Sequence, residues 1–241
     1  MKAIILTAGV GSRIRPLTDN TPKCLLEVAG QPILKRMIDN LKSSGITQFI
    51  VITGYMAETV KTYIADNYPA LEVTYIHNDR YEETNTGYSL FLTRDAVGDD
   101  SFIKLDGDVV FEPAVIEKLV KDSHENCLTI DRNIQLDKEE VKAQIGEGGE
   151  VLKVGKTLDA RMAHGESIGI EKVGKDTGKV FYEILERDIV EKQKWQEYYD
   201  DSYTTLVAEG HPFYAVDISG LKWVEIDTHE DYDRANDMFE A

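Results

Sequence analysis

Short apolar runs rich in β-branched residues alternate with helical patterns through the first half of the chain. We predict strands at residues 2–6, 48–53, 71–76 and 101–106, with helices between them at 32–44, 56–67 and 87–97. Alternation of this kind implies an α/β fold, in which a mainly parallel sheet carries helices on both faces. Ligands of such sheets bind beyond the carboxyl ends of the strands, so we expect a site in the loops that follow these runs.

The second half of the chain has a more mixed pattern. We expect short strands at 126–131, 150–154, 167–171, 213–217 and 223–226, and helices at 177–192, 196–209 and 229–238. The stretch 140–151 predicts a hairpin with a Gly-Gly turn. We interpret these elements as small α+β additions to the same sheet. Because no linker-like tract or repeat interrupts the chain, residues 1–241 are expected to form a single domain.

The composition limits the partners and the compartment. Of the 241 residues 42% are hydrophobic, which is enough for one large core, and the net charge of −17 argues against a nucleic-acid or anionic-membrane surface. The longest apolar runs have the length of strands, so no membrane insertion is expected. No signal-peptide pattern opens the chain, and the two cysteines, Cys24 and Cys127, form no CxxC unit. We therefore expect a reduced, cytoplasmic protein.

A glycine-rich loop, TAGVGSR at residues 7–13, follows the first strand at once. Its glycines allow the backbone to approach a ligand closely and to direct N–H groups towards it. A P-loop is excluded because Gly11 is followed by Ser12 and Arg13 rather than by Lys and Ser or Thr. A dinucleotide fingerprint is excluded because Ile14 stands where a third glycine is needed. The GxG pattern alone is also compatible with an ordinary tight turn.

Three cations, Arg13, Arg15 and Lys23, follow the same loop. Residues 1–120 carry 12 Lys and Arg against 16 Asp and Glu, whereas residues 121–241 carry 15 against 28. A basic cluster in so acidic a protein is more readily explained by phosphate oxygens than by chance. We therefore expect an anionic ligand on the first half of the chain.

The segment LTAGVGSRIRPLTDNTPK resembles the signature LAAGxGxRLxPLTxxxPK of nucleotidyltransferases that make nucleoside-diphosphate sugars and alcohols. Thr7 and Ile14 depart from it, neither of them at a charged position. The resemblance implies a Rossmann-like catalytic domain, with a nucleotide-binding half at 1–120 and an acceptor-binding half at 121–241. It also implies that Arg13 and Lys23 are catalytic cations, which stabilise charge on the α-phosphate and the departing pyrophosphate. The residues then expected to wrap the triphosphate are Thr7, Ala8, Gly9, Gly11 and Ser12.

Two carboxylates follow the strand at 101–106, in the sequence KLDGDVVFEP. Asp106 and Asp108 are two residues apart and would share a face in strand geometry, although a turn with Asx hydrogen bonds is the alternative. Mg²⁺ prefers one or two carboxylates together with substrate phosphates. The resemblance implies that Asp108 is a metal ligand, and that Asp227 in WVEIDTHEDYDRA is the second. Asp106 is expected near the nucleotide. A helix N-cap is the alternative role for Asp227.

The stretch Asn85-Thr86-Gly87-Tyr88-Ser89-Leu90 bears on the choice of base. It resembles the N-x-x-Y-S-L pattern of the small cytidylyltransferases that act on phosphocholine, aminoethylphosphonate and inositol phosphate. Relatives that use thymidine or uridine nucleotides usually have a glycine-rich run here. The resemblance implies CTP as the donor, with Asn85 and Ser89 contacting the nucleotide. A helix N-cap followed by an ordinary helix is compatible with the same residues.

The acceptor pocket is expected in the second half. Lys156 stands where relatives place a lysine against the acceptor phosphate, and Glu166 lies on a predicted inner strand, where a surface acid is the alternative. The stretch WQEYYDDSY resembles the Tyr-Trp-Asp-Asn segment of phosphocholine cytidylyltransferases, with Tyr198, Tyr199 and Asp200 in step. Aromatic rings beside a carboxylate suit an ammonium group. Aromatic residues on a helix are otherwise core residues, and Tyr199 in place of Trp departs from the pattern.

These features together predict an Mg²⁺-dependent enzyme that transfers CMP from CTP to a small phosphorylated alcohol or phosphonate and releases pyrophosphate. The competing enzyme is a sugar-1-phosphate nucleotidyltransferase that uses UTP, dTTP or GTP. A second alternative is an inactive nucleotide-binding regulatory subunit, but such relatives lose the charged residues that are present here at Arg13, Lys23, Asp108 and Asp227. A homodimer is compatible with the sequence, which leaves the oligomeric state open.

Overall fold

The computed structural model describes residues 1–134, 136 and 140–240. Its strands are β1 (Lys2–Thr7), β2 (Glu27–Val28), β3 (Gln31–Pro32), β4 (Gln48–Thr53), β5 (Glu72–His77), β6 (Phe102–Asp106), β7 (Val109–Phe111), β8 (Cys127–Asp131), β9 (Lys142–Ile145), β10 (Val151–Gly155), β11 (Gly165–Val173), β12 (Tyr214–Asp217) and β13 (Trp223–Glu225). Its α-helices are α1 (Ile33–Ser43), α2 (Ala57–Asn67), α3 (Thr86–Phe91), α4 (Arg94–Val97), α5 (Pro113–Lys121), α6 (Lys175–Leu185), α7 (Asp200–Ala208) and α8 (His229–Phe239).

The central sheet has the strand order β10-β9-β11-β6-β1-β4-β5. Strand β1 pairs in parallel with β4 and β6, and β4 pairs in parallel with β5. Strand β11 is antiparallel to β6 and also pairs with β8, which in turn pairs with β12. The sheet is thus mixed, with β1, β4, β5 and β6 all pairing in parallel, and this arrangement confirms the predicted α/β class.

Side chains of the central strands alternate between two cores. Ala3 and Ile5 of β1 point into one core, whereas Ile4 and Leu6 point into the other. Helices α1, α2, α5 and α8 cover the first core, and α3, α6 and α7 cover the second. The helices therefore lie on both faces of the sheet, as the strand–helix alternation predicts. Cys24 and Cys127 are free and buried.

The sheet brings three segments that are distant in sequence together at the carboxyl ends of β1 and β6. Leu6 of β1 pairs with Asp106 of β6, and Leu105 pairs with Ile170 of β11. The glycine loop after β1, the Asp-Gly-Asp turn after β6 and the middle of β11 are therefore neighbours. Gly107 permits this close approach, because a Cβ at that position would lie 2.2 Å from the carbonyl oxygen of Leu6.

Several predicted elements differ from those observed. The helix predicted at 87–97 is divided into α3 and α4, and the hydroxyl of Thr93, at the break, donates to the carbonyl of Leu90. The helix predicted at 177–192 is α6 followed by a π-helical turn at Glu186–Glu191. The hairpin predicted at 140–151 is present as the antiparallel pair β9 and β10. Helix α5 is absent from the prediction. Among the described residues, no helix combines the length and the apolarity needed to cross a membrane.

Candidate active site

A cavity of about 790 Å³ opens beyond the carboxyl ends of β1 and β6. It is lined by residues from both halves of the chain, including all those predicted to have a site role except Arg15, which does not line the cavity and pairs instead with Asp19 at 3.3 Å. The predicted residues that line it are Thr7, Ala8, Gly9, Gly11, Ser12, Arg13, Lys23, Asn85, Ser89, Asp106, Asp108, Lys156, Glu166, Tyr198, Tyr199, Asp200 and Asp227. The structure thus brings the predicted residues together, while the role of each remains a prediction.

The glycine loop forms one wall of the cavity. Nothing lies within 4 Å of the position where a Cβ of Gly9 would stand, so the backbone there faces open space. Gly11 adopts φ +64°, in the left-handed region that glycine enters without strain, and its carbonyl accepts a hydrogen bond from the Thr18 hydroxyl at 2.8 Å. Thr7 is buried, and its hydroxyl donates to the carbonyl of Ile52. These hydrogen bonds of Thr7 and Gly11 hold the loop in place, while its backbone at Gly9 faces the open cavity.

Lys23 lies between two carboxylates at the centre of the cavity. Its Nζ is 2.7 Å from Asp108 Oδ2 and 2.8 Å from Asp227 Oδ1. Burial alone would lower the pKa of Lys23, but the two carboxylates outweigh it and raise the pKa above its ordinary value. Lys23 is therefore a permanent cation held at the meeting point of β1, β6 and β13.

Asp227 also binds Arg13, whose Nη2 lies 2.7 Å from its Oδ2. Burial opposes ionisation of this carboxylate, but Lys23 and Arg13 lower the pKa of Asp227 below its ordinary value. The N-cap of α8 is Thr228, which forms a capping box with Asp231. The alternative role of Asp227 as the helix cap is therefore wrong, and its side chain is directed to the two cations.

A third carboxylate, Glu225, completes an acidic cluster with Asp108 and Asp227. One oxygen of each residue lies within 4.8 Å of the others. Burial, followed by the charges of Asp108 and Asp227, raises the pKa of Glu225 well above its ordinary value. A donor set made only of carboxylate oxygens fits a hard cation such as Mg²⁺. The chemistry of this cluster therefore fits the predicted metal.

Asp106 belongs to a different network, which forms the floor of the cavity. Lys104, fully buried, lies 3.2 Å from Asp106 and 2.8 Å from Glu171, and Tyr199 donates its hydroxyl to Asp106. The ammonium of Lys104 also lies 3.6 Å from the centre of the Tyr199 ring. Burial raises the pKa of Asp106, although the charge of Lys104 opposes this effect. In this network the single ammonium of Lys104 faces two carboxylates, those of Asp106 and Glu171. Gly169 leaves room for the side chain of Asp106, because a Cβ at position 169 would lie 2.3 Å from Asp106 Oδ2.

The segment predicted to contact the base has local structural partners. Asn85 is the N-cap of α3, and its side chain accepts from the Thr86 amide at 2.8 Å. Ser89 Oγ accepts a hydrogen bond at 3.0 Å from the amide of Asn78, a residue that is itself fully buried. The capping role that the sequence offers as an alternative is thus observed for Asn85. Both residues also line the cavity.

Glu166 lies at the far end of the cavity, on β11. The residue is 5% exposed, and among the described residues its Oε2 has no hydrogen-bond partner. Burial, with further contributions from Glu140 and Asp131, raises the pKa of Glu166 to about 8. The surface role offered as an alternative is therefore wrong. A buried acid whose oxygen is unpaired suits a ligand that brings a hydrogen-bond donor or a positive charge.

The two tyrosines of the predicted aromatic face do not share one surface. Helix α7 begins at Asp200, so the prediction that Tyr198 and Tyr199 lie on a helix is wrong. Tyr198 is 43% exposed and lies under the ammonium of Lys156, whereas Tyr199 is 2% exposed and lies against Lys104. Asp200 is buried beside them, and burial raises its pKa to about 7.

Comparison with known proteins agrees with this geometry. The sequence pattern of the nucleotidyl transferases matches residues 2–141, more than half of the chain. The chain belongs to the nucleotidyl transferase family. The matched segment contains β1, the glycine loop, Lys23 and the Asp-Gly-Asp turn, which are the parts that meet at the cation cluster.

Three proteins of known activity are similar to this nucleotidyl transferase. The CTP:phosphoglutamine cytidylyltransferase of Campylobacter jejuni is 30% identical over 96% of this chain and 97% of that protein. The CMP-5'-(3-aminopropyl)phosphonate synthase of Streptomyces rubellomurinus is 29% identical over 99% of this chain, which spans only 39% of that protein. The solved CTP:phosphocholine cytidylyltransferase of Streptococcus pneumoniae superposes with a TM-score of 0.78 at 25% identity, covering 98% of this chain and 97% of that one.

Several residues of the nucleotidyl transferase that line or support the cavity are absent from the sequence prediction; Glu225 lines it, whereas Lys104, Glu171 and Thr18 lie behind its wall. Glu225 precedes Asp227 by two residues, and the strand periodicity of WVEID would have placed both on one face. Lys104 and Glu171 carry no such signal, because a charged residue in an apolar strand is paired only through the tertiary contact between β6 and β11. Thr18 likewise depends on the path of the loop, which the sequence does not specify.

Proposed function

We propose that this nucleotidyl transferase transfers CMP from CTP to a small phosphorylated alcohol or phosphonate and releases pyrophosphate. The observation that carries the proposal is the position of Arg13 and Lys23, which meet Asp108 and Asp227 beside an open glycine loop. Cations and metal-binding carboxylates at such a loop are what a triphosphate requires. The preference for CTP is supported by the relatives of this chain, because the named cytidylyltransferases match it from end to end.

The nucleophile is an oxygen of the acceptor's own phosphate or phosphonate group. It forms a bond to the α-phosphorus of CTP, while the bond from that phosphorus to the bridging oxygen of pyrophosphate breaks. A phosphate monoester has its second pKa near 6, so this oxygen is already ionised at neutral pH and no protein base is needed. Catalysis then depends on alignment of the two substrates and on neutralisation of their charge.

Arg13 and Lys23 supply that neutralisation from the protein. Arg13 lines the cavity and is 61% exposed, so its guanidinium, which pairs with Asp227, is also accessible to phosphate oxygens. Lys23 retains its charge because the flanking carboxylates hold its pKa high. Asp108 and Asp227 would hold Mg²⁺, which supplies further neutralisation of the phosphate oxygens when it is bound.

The acceptor is expected at the other end of the cavity. Lys156 follows β10 and offers a cation for the acceptor's phosphate. Glu166 offers an unpaired carboxylate for an ammonium group, and buried Asp200 adds further acidity near Lys156. We therefore infer an amine-bearing acceptor, because a carboxylate in a confined site gains most from a partner of opposite charge.

A substrate panel tests the proposal. The full chain is incubated with Mg²⁺, each of CTP, UTP, dTTP and GTP, and each of phosphocholine, 2-aminoethylphosphonate, inositol phosphate and glucose-1-phosphate, and pyrophosphate release is measured. We expect the highest kcat/KM with CTP and an amine-bearing acceptor. A preference for UTP or dTTP with glucose-1-phosphate would instead identify a sugar-nucleotide enzyme. Nucleotide binding without turnover of any pair would identify a regulatory protein.

A further inference from the structure

The acidic cluster of Asp108, Glu225 and Asp227 already encloses a cation of the protein itself. The ammonium of Lys23 contacts Asp108 at 2.7 Å and Asp227 at 2.8 Å. These are two of the three residues whose oxygens converge within 4.8 Å. An ammonium group and a divalent cation would therefore draw on the same carboxylates.

The backbone holds the three carboxylates close together. Glu225 ends β13, which pairs with β7, and the amide of Ile226 donates to the carbonyl of Asp108 at 3.0 Å. Asp108 and Asp227 are thus held on two chain segments that are hydrogen-bonded to each other. Because like charges so close together repel, the cluster attracts a cation.

Lys23 reaches the cluster from the wall formed by the glycine loop. It occupies a short turn, Lys23–Leu25, and its side chain reaches the cluster past Gly11, whose Cβ position would lie 3.3 Å from Lys23 Cβ. The glycine loop and the lysine therefore share one small space. A triphosphate seated on that loop would offer oxygens that attract the ammonium away from the carboxylates.

We propose that Lys23 and a divalent cation compete for one site formed by three carboxylates, of which Glu225 is the third. In the free protein Lys23 fills the site, so the metal binds weakly. When a triphosphate arrives, Lys23 moves to the phosphates and the carboxylates become available to the metal. Metal binding is thereby coupled to nucleotide binding. The proposal rests on the proposed nucleotidyl transfer at this site, but its test requires no turnover.

The test measures Mn²⁺ binding to the nucleotide-free chain by electron paramagnetic resonance of the unbound ion. Removal of the competing ammonium in Lys23→Met should strengthen Mn²⁺ binding at least about tenfold relative to the wild type, because the cluster then lacks its internal cation. Adding Glu225→Gln to Lys23→Met should abolish most of that gain. The matched control is Lys118→Met, since this ammonium bonds to the Asp217 carbonyl outside the cavity and its loss should leave Mn²⁺ binding unchanged.

Two outcomes would overturn the proposal. If Lys23→Met binds Mn²⁺ no more tightly than the wild type, the lysine and the metal do not compete. If the double variant binds as tightly as Lys23→Met, Glu225 is not part of the site. Lys23→Gln, which keeps a polar side chain, serves as a second variant should Lys23→Met not fold. Pyrophosphate release by the wild type is recorded separately, so a failure of the proposed function is distinguishable from a failure of this competition.

Discussion

The two ends of the cavity differ in how their acidic side chains are paired. At the cation end, Arg13 and Lys23 face Asp108 and Asp227 in direct ion pairs. At the acceptor end, Glu166 is buried with an unpaired oxygen. The cation end can exchange its carboxylate partners for phosphate oxygens, whereas at the acceptor end one buried oxygen of Glu166 has no hydrogen-bond partner among the described residues, and a ligand could supply one.

This contrast is visible in the pKa values of the carboxylates. Lys23 and Arg13 lower the pKa of Asp227 against the effect of its burial. Burial raises the pKa of Glu166 to about 8 and that of Asp200 to about 7. At neutral pH Glu166 is therefore mostly protonated and Asp200 about half protonated. One cavity thus contains an ionised acid paired with cations and, at its other end, acids that burial keeps partly neutral.

The largest expected effect is at the cation end. Asp108→Asn removes one charge of the cluster while preserving the shape of the side chain, and we expect kcat to fall at least about 100-fold, as for loss of a group that stabilises transition-state charge. Pyrophosphate release with CTP measures the effect, and circular dichroism should show an intact fold. Asp79→Asn, in which a 90% exposed carboxylate is changed, is the matched control and should retain full activity. Unchanged turnover in Asp108→Asn would remove this residue from the reaction.

The next effect concerns the acceptor end and depends on pH. Because Glu166 has a pKa of about 8 in the free protein, it must lose a proton before it pairs with an ammonium group. We therefore expect KM for an amine-bearing acceptor to fall as pH rises from 6 to 8, by up to about tenfold per unit, and to level off above 8. Glu166→Gln should abolish this dependence.

The phosphate group of the acceptor also titrates near pH 6, and inositol phosphate, which lacks an amine, controls for it. Its KM should respond equally in the wild type and in Glu166→Gln.

The stability of the fold should change with pH in the opposite sense to acceptor affinity: it should fall as the pH rises. Between the ordinary value of 4.5 and about 8 the folded protein binds the proton more tightly than the unfolded chain does, so ionisation of Glu166 destabilises the fold as pH rises. Without acceptor, the wild type should lose more of its melting temperature between pH 6 and pH 9 than Glu166→Gln does.

The cation end could be predicted from the sequence because its parts are local. The loop at 7–13 and Lys23 lie within one continuous segment, and Asp108 follows a strand whose apolar pattern is clear. Asp227 comes from the far end of the chain, but it too follows directly on a recognisable strand. Each of these segments is locally recognisable; the parallel pairing of β1 and β6 brings the loop and Asp108 together, and the separate antiparallel pair of β7 and β13 places Asp227 beside them.

For the acceptor end, the sequence predicts which residues line the cavity but not how their side chains are arranged. The expected aromatic face required Tyr198 and Tyr199 to act together, yet one side chain is exposed and the other is buried against Lys104. That division arises because α7 begins only at Asp200, and because β6 and β11 place a buried lysine beneath Tyr199. Neither fact is contained in local sequence, since both depend on how the second half packs against the first.

The smallest expected effect tests the contact between the two ends. Tyr199 donates its hydroxyl to Asp106, whose carboxylate also contacts Lys104, so this tyrosine is a positioning residue for the cavity floor. Tyr199→Phe keeps the ring against Lys104 but removes that donor, and we expect KM for CTP to rise about five- to tenfold, in line with the net contribution of about 1 kcal/mol that a typical hydrogen bond makes. Tyr198→Phe is the matched control from the adjacent position, and because this ring is 43% exposed its KM for CTP should remain within about twofold of the wild type. A merely structural role for Tyr199 would lower the melting temperature but leave KM for CTP unchanged. If instead KM for the acceptor rises and KM for CTP does not, Asp106 contacts the acceptor rather than CTP, and the floor of the cavity belongs to the acceptor end.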